Sequence, residues 1–304
     1  MIYDIIIIGA GAAGMNAALY SLRSGKSVLL IEGEAVGGQI ANSPKVENFP
    51  TIPEISGSDF ADKFYEQITK WGAELEYDKV TDIKKVDGLF YVKAEYGEYT
   101  SKAVIAATGV KHKHLHVPGE EELIGKGVYF CALCDGPFYS GKEVALIGDG
   151  NTAMQYAVIL SAICTKVYLL TWSDRFFGDK VLEQRMKEKP NIEHIPFVTV
   201  TGFNGTDKLE SIEYAEVNGG KKHTLTVPAA FVSIGQIPDN GIFAGLSDLD
   251  KQGYFVCNDD MSTKTEGFFV AGDCRVKKIR QLATAISDGA IAAVSACEYI
   301  DKMN

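Results

Sequence analysis

Several features are scarce or absent in this chain of 304 residues. No apolar run reaches the roughly 18 residues of a membrane-spanning helix, and the first residues lack the basic stretch of a signal peptide. Six cysteines are too few for a secreted disulfide framework. Thirty basic against 40 acidic side chains give a net charge of −10, which disfavours nucleic acid. We therefore expect a cytoplasmic protein that binds neither a membrane nor a nucleic acid.

A glycine-rich loop follows the first apolar segment of the chain. Residues 5–8 are all isoleucine, which is typical of a strand covered on both faces of a parallel sheet. The loop 9–14 reads G-A-G-A-A-G and leads into an alanine-rich helix, after which a strand over 28–31 ends at Glu32. This order is that of a dinucleotide-binding βαβ unit, in which the helix N-terminus faces a pyrophosphate.

The same pattern occurs a second time in the middle of the chain. A strand over 144–147 precedes Gly148-Asp149-Gly150, a helix is predicted to about residue 162, and another strand spans 166–170. Such self-similarity indicates an internal repeat on the scale of domains. The sequence therefore predicts an α/β fold with two Rossmann-like dinucleotide-binding domains.

The strongest local signal is the pair Cys131 and Cys134, separated by two residues. This spacing places two sulfurs within disulfide reach and lowers a thiol pKa, so that a thiolate attacks readily. Zinc would need a second pair of ligands at metal spacing, and the other four cysteines are isolated. We predict a redox-active pair and no metal site, with half of a zinc site or an inert structural pair as alternatives. Asp135 could protonate a departing thiolate, cap a helix, or do both.

Further short motifs occur in a fixed order along the chain: Gly37-Gly38-Gln39, Glu47-Asn48-Phe49-Pro50, Ala107-Thr108-Gly109, Ala271-Gly272-Asp273 and Arg280-Gln281. With the two glycine loops and the cysteine pair, they make the chain resemble the low-molecular-weight thioredoxin reductases over essentially its whole length. The resemblance implies an FAD-binding domain formed by residues 1–112 and 241–304. It also implies an inserted NAD(P)H-binding-like domain over 113–240 that carries the cysteine pair.

The resemblance implies FAD as the cofactor and a homodimer as the assembly. Pyrophosphate would lie on the helix that starts at Gly11, Glu32 would bind the adenosine ribose, and Asp273 would hold the ribitol. An ordinary turn is the alternative for each glycine and for Asn48, and a helix cap is the alternative for Asp273. The implied cofactor-binding residues are Gly9, Gly11, Ala12, Ala13, Gly14, Glu32, Gly38, Gln39, Asn48, Thr108, Gly109, Gly272, Asp273, Arg280, Gln281 and Leu282.

The resemblance also implies roles around the cysteine pair. Cys134 would face the flavin, and Cys131 would attack the disulfide of thioredoxin. Asp135 would protonate the leaving thiolate during the transfer of electrons from the flavin to the disulfide. The remaining cysteines are expected to be buried small apolar residues. Cys274, next to Asp273, is the one with a conceivable redox role.

The chain departs from the resemblance where NADPH would bind. NADPH-dependent members carry His-Arg-Arg-x-x-x-Arg to hold the 2′-phosphate, whereas residues 171–177 here read T-W-S-D-R-F-F, with Arg175 as a shifted cation. Charge-assisted hydrogen bonds contribute about 1.5–3 kcal/mol each, so their loss costs several kcal/mol. Asp149 adds about 3 kcal/mol of repulsion if its carboxylate lies ~5 Å from a pyrophosphate charge.

These departures predict an electron donor other than NADPH. A flavin accepts electrons singly and passes on a pair, which suits a ferredoxin at about −400 mV reducing a thioredoxin at about −270 mV. The basic segment 275–280 could steer an acidic ferredoxin, or be a solvated loop, or serve the flavin site through Arg280. The alternatives are a reductase that uses NADPH or NADH through an atypical loop, and a regulatory flavoprotein without turnover.

Overall fold

A computed structural model of the chain describes residues 1–43 and 46–303. It divides into two compact units, the first made of residues 1–111 and 237–304 and the second of residues 112–236. The crossings thus fall after residue 111, where the resemblance implied 112, and after residue 236, where it implied 240. The first unit is therefore discontinuous in sequence.

The elements up to the first crossing are β1 (Ile2–Ile8), α1 (Ala12–Arg23), β2 (Val28–Glu32), α2 (Gly57–Lys70), β3 (Glu74–Tyr77), β4 (Val80–Val86), β5 (Leu89–Ala94), β6 (Glu98–Ala106) and β7 (Lys111–His112). The next are α3 (Glu120–Leu123), β8 (Val128–Tyr129), α4 (Ala132–Asp135), β9 (Glu143–Ile147), α5 (Asn151–Ile163), β10 (Lys166–Leu170), α6 (Lys180–Lys187), β11 (Ile192–Ile195), β12 (Val198–Asn204), β13 (Ser211–Glu216), β14 (Lys222–Thr226), β15 (Ala230–Val232) and β16 (Gln236–Ile237). The last are β17 (Phe268–Val270) and α7 (Leu282–Asp301).

The first unit is built on a sheet in the order β3-β2-β1-β6-β5-β4, with β17 also paired to β6. Strands β1, β2, β3, β6 and β17 are parallel, and β5 and β4 extend the sheet in antiparallel fashion. Ile5 and Ile7 pack against α1 and α7, whereas Ile6 and Ile8 pack on the opposite face with Phe255 and other aromatic side chains. Both faces of β1 are buried, which explains its unbroken apolar run.

The second unit contains a parallel sheet in the order β11-β10-β9-β15-β8 and an antiparallel sheet β12-β13-β14. In the parallel sheet, Val144 lies opposite Val167 and Ile147 lies opposite Leu170. Helix α5 follows β9 directly, as α1 follows β1. The predicted α/β fold with two Rossmann-like sheets is confirmed.

Helices α1 and α7 pack closely because both carry small residues at their contact. A Cβ atom placed on Gly289 of α7 would lie 2.1 Å from the carbonyl oxygen of Ala13 in the first turn of α1. Since the clashing atom belongs to the backbone, it cannot move away as a flexible side chain would. Gly289 therefore sets the distance between the two helices beside the first glycine loop.

We predict that Gly289→Ala lowers the free energy of unfolding. Alanine is favoured over glycine inside a helix by about 1 kcal/mol, but overpacking costs about 1–3 kcal/mol and should outweigh it. Urea denaturation of the purified protein measures the change. Gly241→Ala is the matched control, because its added Cβ would meet no atom within 4 Å. A higher urea midpoint for Gly289→Ala than for the parent would contradict the expectation.

Candidate active site

The first glycine loop leaves no room for side chains. A Cβ on Gly9, which has φ +104°, would lie 2.4 Å from the carbonyl oxygen of Ala107, and one on Gly14 would lie 1.9 Å from that of Gly9. Helix α1 begins after Gly11 without a side-chain cap, so its first backbone N–H groups are not satisfied by a capping side chain. Such a helix start attracts an anion, as the predicted pyrophosphate contact requires.

Glu32 is buried at the carboxyl end of β2, beside this loop. Its Oε2 accepts a hydrogen bond from the backbone N–H of Ala10 at 2.6 Å, and its Oε1 accepts one from that of Glu34 at 2.8 Å. Each carboxylate oxygen retains a further lone pair that a ribose hydroxyl can use. The structure fixes Glu32 at the predicted place, and its contact with the cofactor stays a prediction.

The segment from Gly37 to Gln39 runs alongside the glycine loop. The backbone N–H of Gly37 donates to the carbonyl of Ala10 at 2.9 Å, and a Cβ on Gly38 would lie 3.3 Å from Cα of Gly11. Gln39 donates through Nε2 to the carbonyl of Val110 at 3.3 Å. Gly38 and Gln39 are thus held next to the two loops that leave β1 and β6.

Asp273 lies in a 3₁₀ turn, Gly272–Cys274, after β17. Gly272 has φ +85°, and a Cβ on it would lie 2.8 Å from Cβ of Ala13 at the start of α1. The Oδ1 atom of Asp273 is buried and accepts no hydrogen bond from the described residues. Burial raises the pKa of this carboxyl group, against the attraction of Lys277. A buried acceptor without a donor fits a hydroxyl group of bound FAD.

The predicted residues at the start of α7 also come together. Asn48 donates through Nδ2 to Oε1 of Gln281 at 3.2 Å, and Gln281 caps α7, which begins at Leu282. Arg280 stacks its guanidinium 4.1 Å from the ring centroid of Tyr254 and donates to the backbone carbonyl of Asp273 at 3.2 Å. The structure therefore gathers the predicted motifs of the first unit at one edge of its sheet.

Sequence reasoning missed Asn240. Its Oδ1 accepts a hydrogen bond from Thr108 at 2.9 Å, and its Nδ2 donates to the carbonyl of Cys274 at 2.9 Å. Asn240 thus links the segment with Thr108 and Gly109 to the turn with Asp273. It belongs to no recognised motif, and its position next to the return crossing was the one available signal.

The cysteine pair forms a disulfide across the short helix α4, with the Cα atoms 5.4 Å apart. Cys131 is the N-cap residue of α4, and its Sγ accepts a hydrogen bond from the backbone N–H of Cys134 at 3.1 Å. Cys134 is exposed and Cys131 is half-buried, so exposure does not single out Cys131 as the attacking sulfur. The assignment of the two sulfurs stays a prediction.

Asp135 is the last residue of α4 and is half-buried. Burial raises the pKa of its carboxyl group and so favours the protonated form that a proton donor needs. Asp135 occupies the N-cap position of the 3₁₀ turn that follows, as the alternative role implied, but its side chain makes no capping hydrogen bond there. Tyr156 on α5 is buried, and its pKa is raised to about 12, mainly by burial and to a smaller extent by the charge of Asp135.

Cys274 is fully buried, and burial raises the pKa of its thiol to about 11. Its Sγ donates to the carbonyl of Ala271 at 3.1 Å. A thiol with so high a pKa carries almost no thiolate at neutral pH. The structure therefore favours the buried apolar role predicted for the other cysteines.

The second glycine loop repeats the backbone of the first but carries a carboxyl group. Gly148 has φ +140°, and a Cβ on it would lie 2.0 Å from the carbonyl oxygen of Ser233. Asp149 follows at the carboxyl end of β9, is half-buried, and has its pKa raised by burial. The backbone N–H of Phe177 donates to the carbonyl of Asp149 at 2.8 Å.

The segment 171–177 turns its first residue inward. Thr171 is buried, donates to the carbonyl of Ser173 at 2.6 Å, and lies 2.7 Å from Nε2 of His194. Burial lowers the pKa of His194. Trp172 is exposed, and so is Arg175. The hydroxyl of Thr171 is thus already engaged where a basic side chain would be needed for a 2′-phosphate.

The basic segment 275–280 differs from the expected docking patch. Arg275 and Lys277 both bind the buried carboxylate of Asp288, and Arg280 stacks on Tyr254. Lys278 is exposed. Arg275 and Lys277 are therefore paired within their own unit by a carboxylate of α7, which leaves Lys278 as the exposed cation of the segment and disfavours the solvated-loop alternative for the other two.

Within residues 1–43 and 46–303, no three His, Cys, Asp or Glu side chains gather as a possible metal site. Among the helices of this described part, none combines the length and apolar character required to cross a membrane.

Two glycine-loop units and a disulfide across one helical turn define the class of dinucleotide-binding disulfide oxidoreductases. Residues 3–289 match the family described as Pyridine nucleotide-disulphide oxidoreductase. The chain therefore belongs to this family, in the group of low-molecular-weight, FAD-dependent thioredoxin reductases.

Individual relatives cover nearly the whole chain. A thioredoxin reductase of Treponema pallidum is 39% identical over 99% of this chain and 98% of its own. The crystal structure of Lactococcus lactis thioredoxin reductase has a TM-score of 0.96 at 33% identity and covers 99% of both chains. A ferredoxin-flavin thioredoxin reductase from Clostridium acetobutylicum has a TM-score of 0.56 at 29% identity and covers 100% of this chain and 99% of its own.

We predict that Asp135→Asn slows thiol exchange by about 10²-fold, since the amide cannot donate the proton. In the parent, the rate should fall as pH rises through the raised pKa of Asp135, and this dependence should disappear in the variant. Stopped-flow measurement of thioredoxin reduction across pH checks both. Asp179→Asn, at an exposed position of the same unit, is the control. A variant that keeps the parent rate and pH profile would rule out the role.

Proposed function

We propose that this chain is a thioredoxin-disulfide reductase whose electron donor is not NADPH but a low-potential protein, reduced ferredoxin. The observation that carries the donor assignment is the position of the Asp149 carboxyl group, which is half-buried in the second glycine loop. A pyrophosphate there would meet a like charge in a place that water screens poorly.

The segment 171–177 supports the same proposal. A 2′-phosphate is held by forked, charge-assisted hydrogen bonds from arginine. Here Thr171 bonds within its own unit, Trp172 offers an exposed aromatic ring, and Arg175 is the one basic residue of the segment. The loss of the contacts to the 2′-phosphate and the repulsion by Asp149 both weaken the binding of NADPH.

The dithiol chemistry needs the residues of α4. When bound, FAD carries two electrons and can take them up one at a time, which suits a one-electron donor. The disulfide between Cys131 and Cys134 gains two electrons and two protons and becomes a dithiol, one thiol of which loses its proton to form the attacking thiolate. The thiolate attacks one sulfur of the thioredoxin disulfide, which breaks that bond and forms a mixed disulfide. The second thiol of the pair then attacks the enzyme sulfur of the mixed disulfide, which restores the Cys131–Cys134 bond and releases thioredoxin as a dithiol. Asp135 supplies a proton to the sulfur that leaves when the Cys131–Cys134 bond is reduced.

The energetics favour a ferredoxin. The transfer of two electrons from a ferredoxin at about −400 mV to a thioredoxin at about −270 mV releases about 6 kcal/mol of free energy. The Clostridium acetobutylicum relative, named a ferredoxin-flavin thioredoxin reductase, supports the use of such a donor on a similar chain. The homodimer remains a proposal from the family resemblance, and the cytoplasmic location remains a proposal from the composition of the chain.

A reductase that uses NADPH or NADH is the second candidate, favoured by one observation. Arg175 is exposed in the loop beside the second glycine motif and could pair with a phosphate. A regulatory flavoprotein without turnover is disfavoured, because it would have no use for a disulfide with an adjacent acid of raised pKa.

Anaerobic bleaching of the yellow holoprotein tests the proposal. Reduced ferredoxin should bleach it within seconds and then support reduction of added thioredoxin, whereas NADPH and NADH at about 0.1 mM should leave the colour. Rapid bleaching by either nucleotide would contradict the donor assignment. Bleaching by ferredoxin without thioredoxin reduction would contradict the reductase itself.

A charge-removing substitution in the second loop gives a further prediction. Asp149→Asn keeps the shape of the side chain and removes about 3 kcal/mol of repulsion, so it should tighten NADH binding by up to about a hundredfold. Calorimetric titration of parent and variant measures the change. Asp207→Asn, exposed between β12 and β13 of the same unit, should have no effect. Equal affinity in Asp149→Asn and the parent would show that Asp149 does not repel the nucleotide.

A further inference from the structure

Asp288 is a carboxylate on α7 that is only 4% exposed and is surrounded by donors of the turn after β17. Its Oδ2 accepts hydrogen bonds from the backbone N–H of Gly272 at 3.2 Å, from Nε of Arg275 at 2.8 Å and from Nζ of Lys277 at 2.8 Å. Its Oδ1 accepts a second bond from Arg275 at 2.8 Å. Burial alone would raise the pKa of Asp288, but the bonds from Arg275 and Lys277 lower it, so the group is ionised.

Lys277 lies between two carboxyl groups and is bonded to one of them. Its Nζ is 2.8 Å from Oδ2 of Asp288 but 3.9 Å from Oδ1 of Asp273. The side chain of Lys277 is 7% exposed, so water offers it little alternative hydration. A buried ammonium group must find a carboxylate or carbonyl partner. Asp288 is that partner, and Asp273 is the nearest alternative.

The pairing of Lys277 with Asp288 leaves Oδ1 of Asp273 without a donor in the part of the chain that the structure describes. Oδ1 of Asp273 is buried and accepts no hydrogen bond from the described residues, although a cation lies within 4 Å of it. It stays in that state because Lys277 is bound elsewhere. Asp288 also fixes the turn itself through the N–H of Gly272 and the fork of Arg275. Removing Asp288 would loosen the turn and release Lys277 toward Asp273.

We propose that Asp288 is a positioning residue of the flavin site: by binding Lys277 it keeps Oδ1 of Asp273 open to a hydroxyl group of the FAD ribitol. The inference rests on the proposed contact between Asp273 and the cofactor. It gives a role to the buried cluster of Asp288, Arg275 and Lys277, which takes no part in the disulfide chemistry.

FAD binding to the apoprotein, followed by the quenching of flavin fluorescence, tests this role without turnover. Asp288→Asn should weaken FAD binding at least about tenfold. Adding Lys277→Met to that variant should restore most of the affinity, because the released cation is then absent. Asp301→Asn, on the same helix and paired with Lys26 at the surface, is the control and should bind FAD as the parent does.

Two further variants keep the outcomes separate. Asp273→Asn should also weaken FAD binding, and if it does not, the cofactor contact itself fails. If Asp273→Asn weakens binding and Asp288→Asn does not, the positioning role alone fails. A double variant no better than Asp288→Asn would likewise overturn the proposal, since a merely structural Asp288 gives no rescue. Should Asp288→Asn not fold, Lys277→Met alone decides: near-parent affinity supports the proposal, and a tenfold loss overturns it.

Discussion

In each unit, the structure depends on a close approach between a glycine loop and the backbone that follows a neighbouring strand: the loop after β1 approaches the end of β6, and the loop after β9 approaches the end of β15. A Cβ on Gly9 would lie 2.4 Å from the carbonyl oxygen of Ala107, and one on Gly148 would lie 2.0 Å from that of Ser233. No side chain fits at either contact. The helix that follows each loop therefore starts at the edge of the sheet, and its first backbone N–H groups have no hydrogen-bond partner within the helix. In the first unit this edge also carries Glu32 and Asp273, so the geometry of the flavin site follows from the same contact.

The second unit keeps this backbone and changes the chemistry on it. Asp149 puts a carboxyl group into the loop, and Thr171 bonds to Ser173 in the segment where arginines would hold a phosphate. A dinucleotide fold is therefore retained as the support for the cysteine pair on α4, whether or not it still binds a dinucleotide. Under the proposed function, the choice of electron donor depends on these few side chains and not on the fold.

The sequence predicted the strands and helices of the two glycine-loop units because their signals are local, but it did not predict the antiparallel sheet β12-β13-β14. The strand over 166–170 was predicted at the limits it has in the structure, and the first helix was placed correctly after its glycine loop. Contacts between different elements were missed. Asn240 reaches Thr108 across 132 positions, and Lys277 pairs with Asp288 on the helix that follows it. Neither contact leaves a periodic pattern or a motif, so physical reasoning on the sequence alone had no means to find them.

The central claim is that the second unit no longer binds reduced nicotinamide coenzyme usefully, so electrons enter through a protein donor. Isothermal titration of the holoprotein with NADPH tests it most directly. Loss of several kcal/mol moves a micromolar site to about the millimolar range, so we expect no saturable heat below about 1 mM. A dissociation constant in the micromolar range would contradict the account.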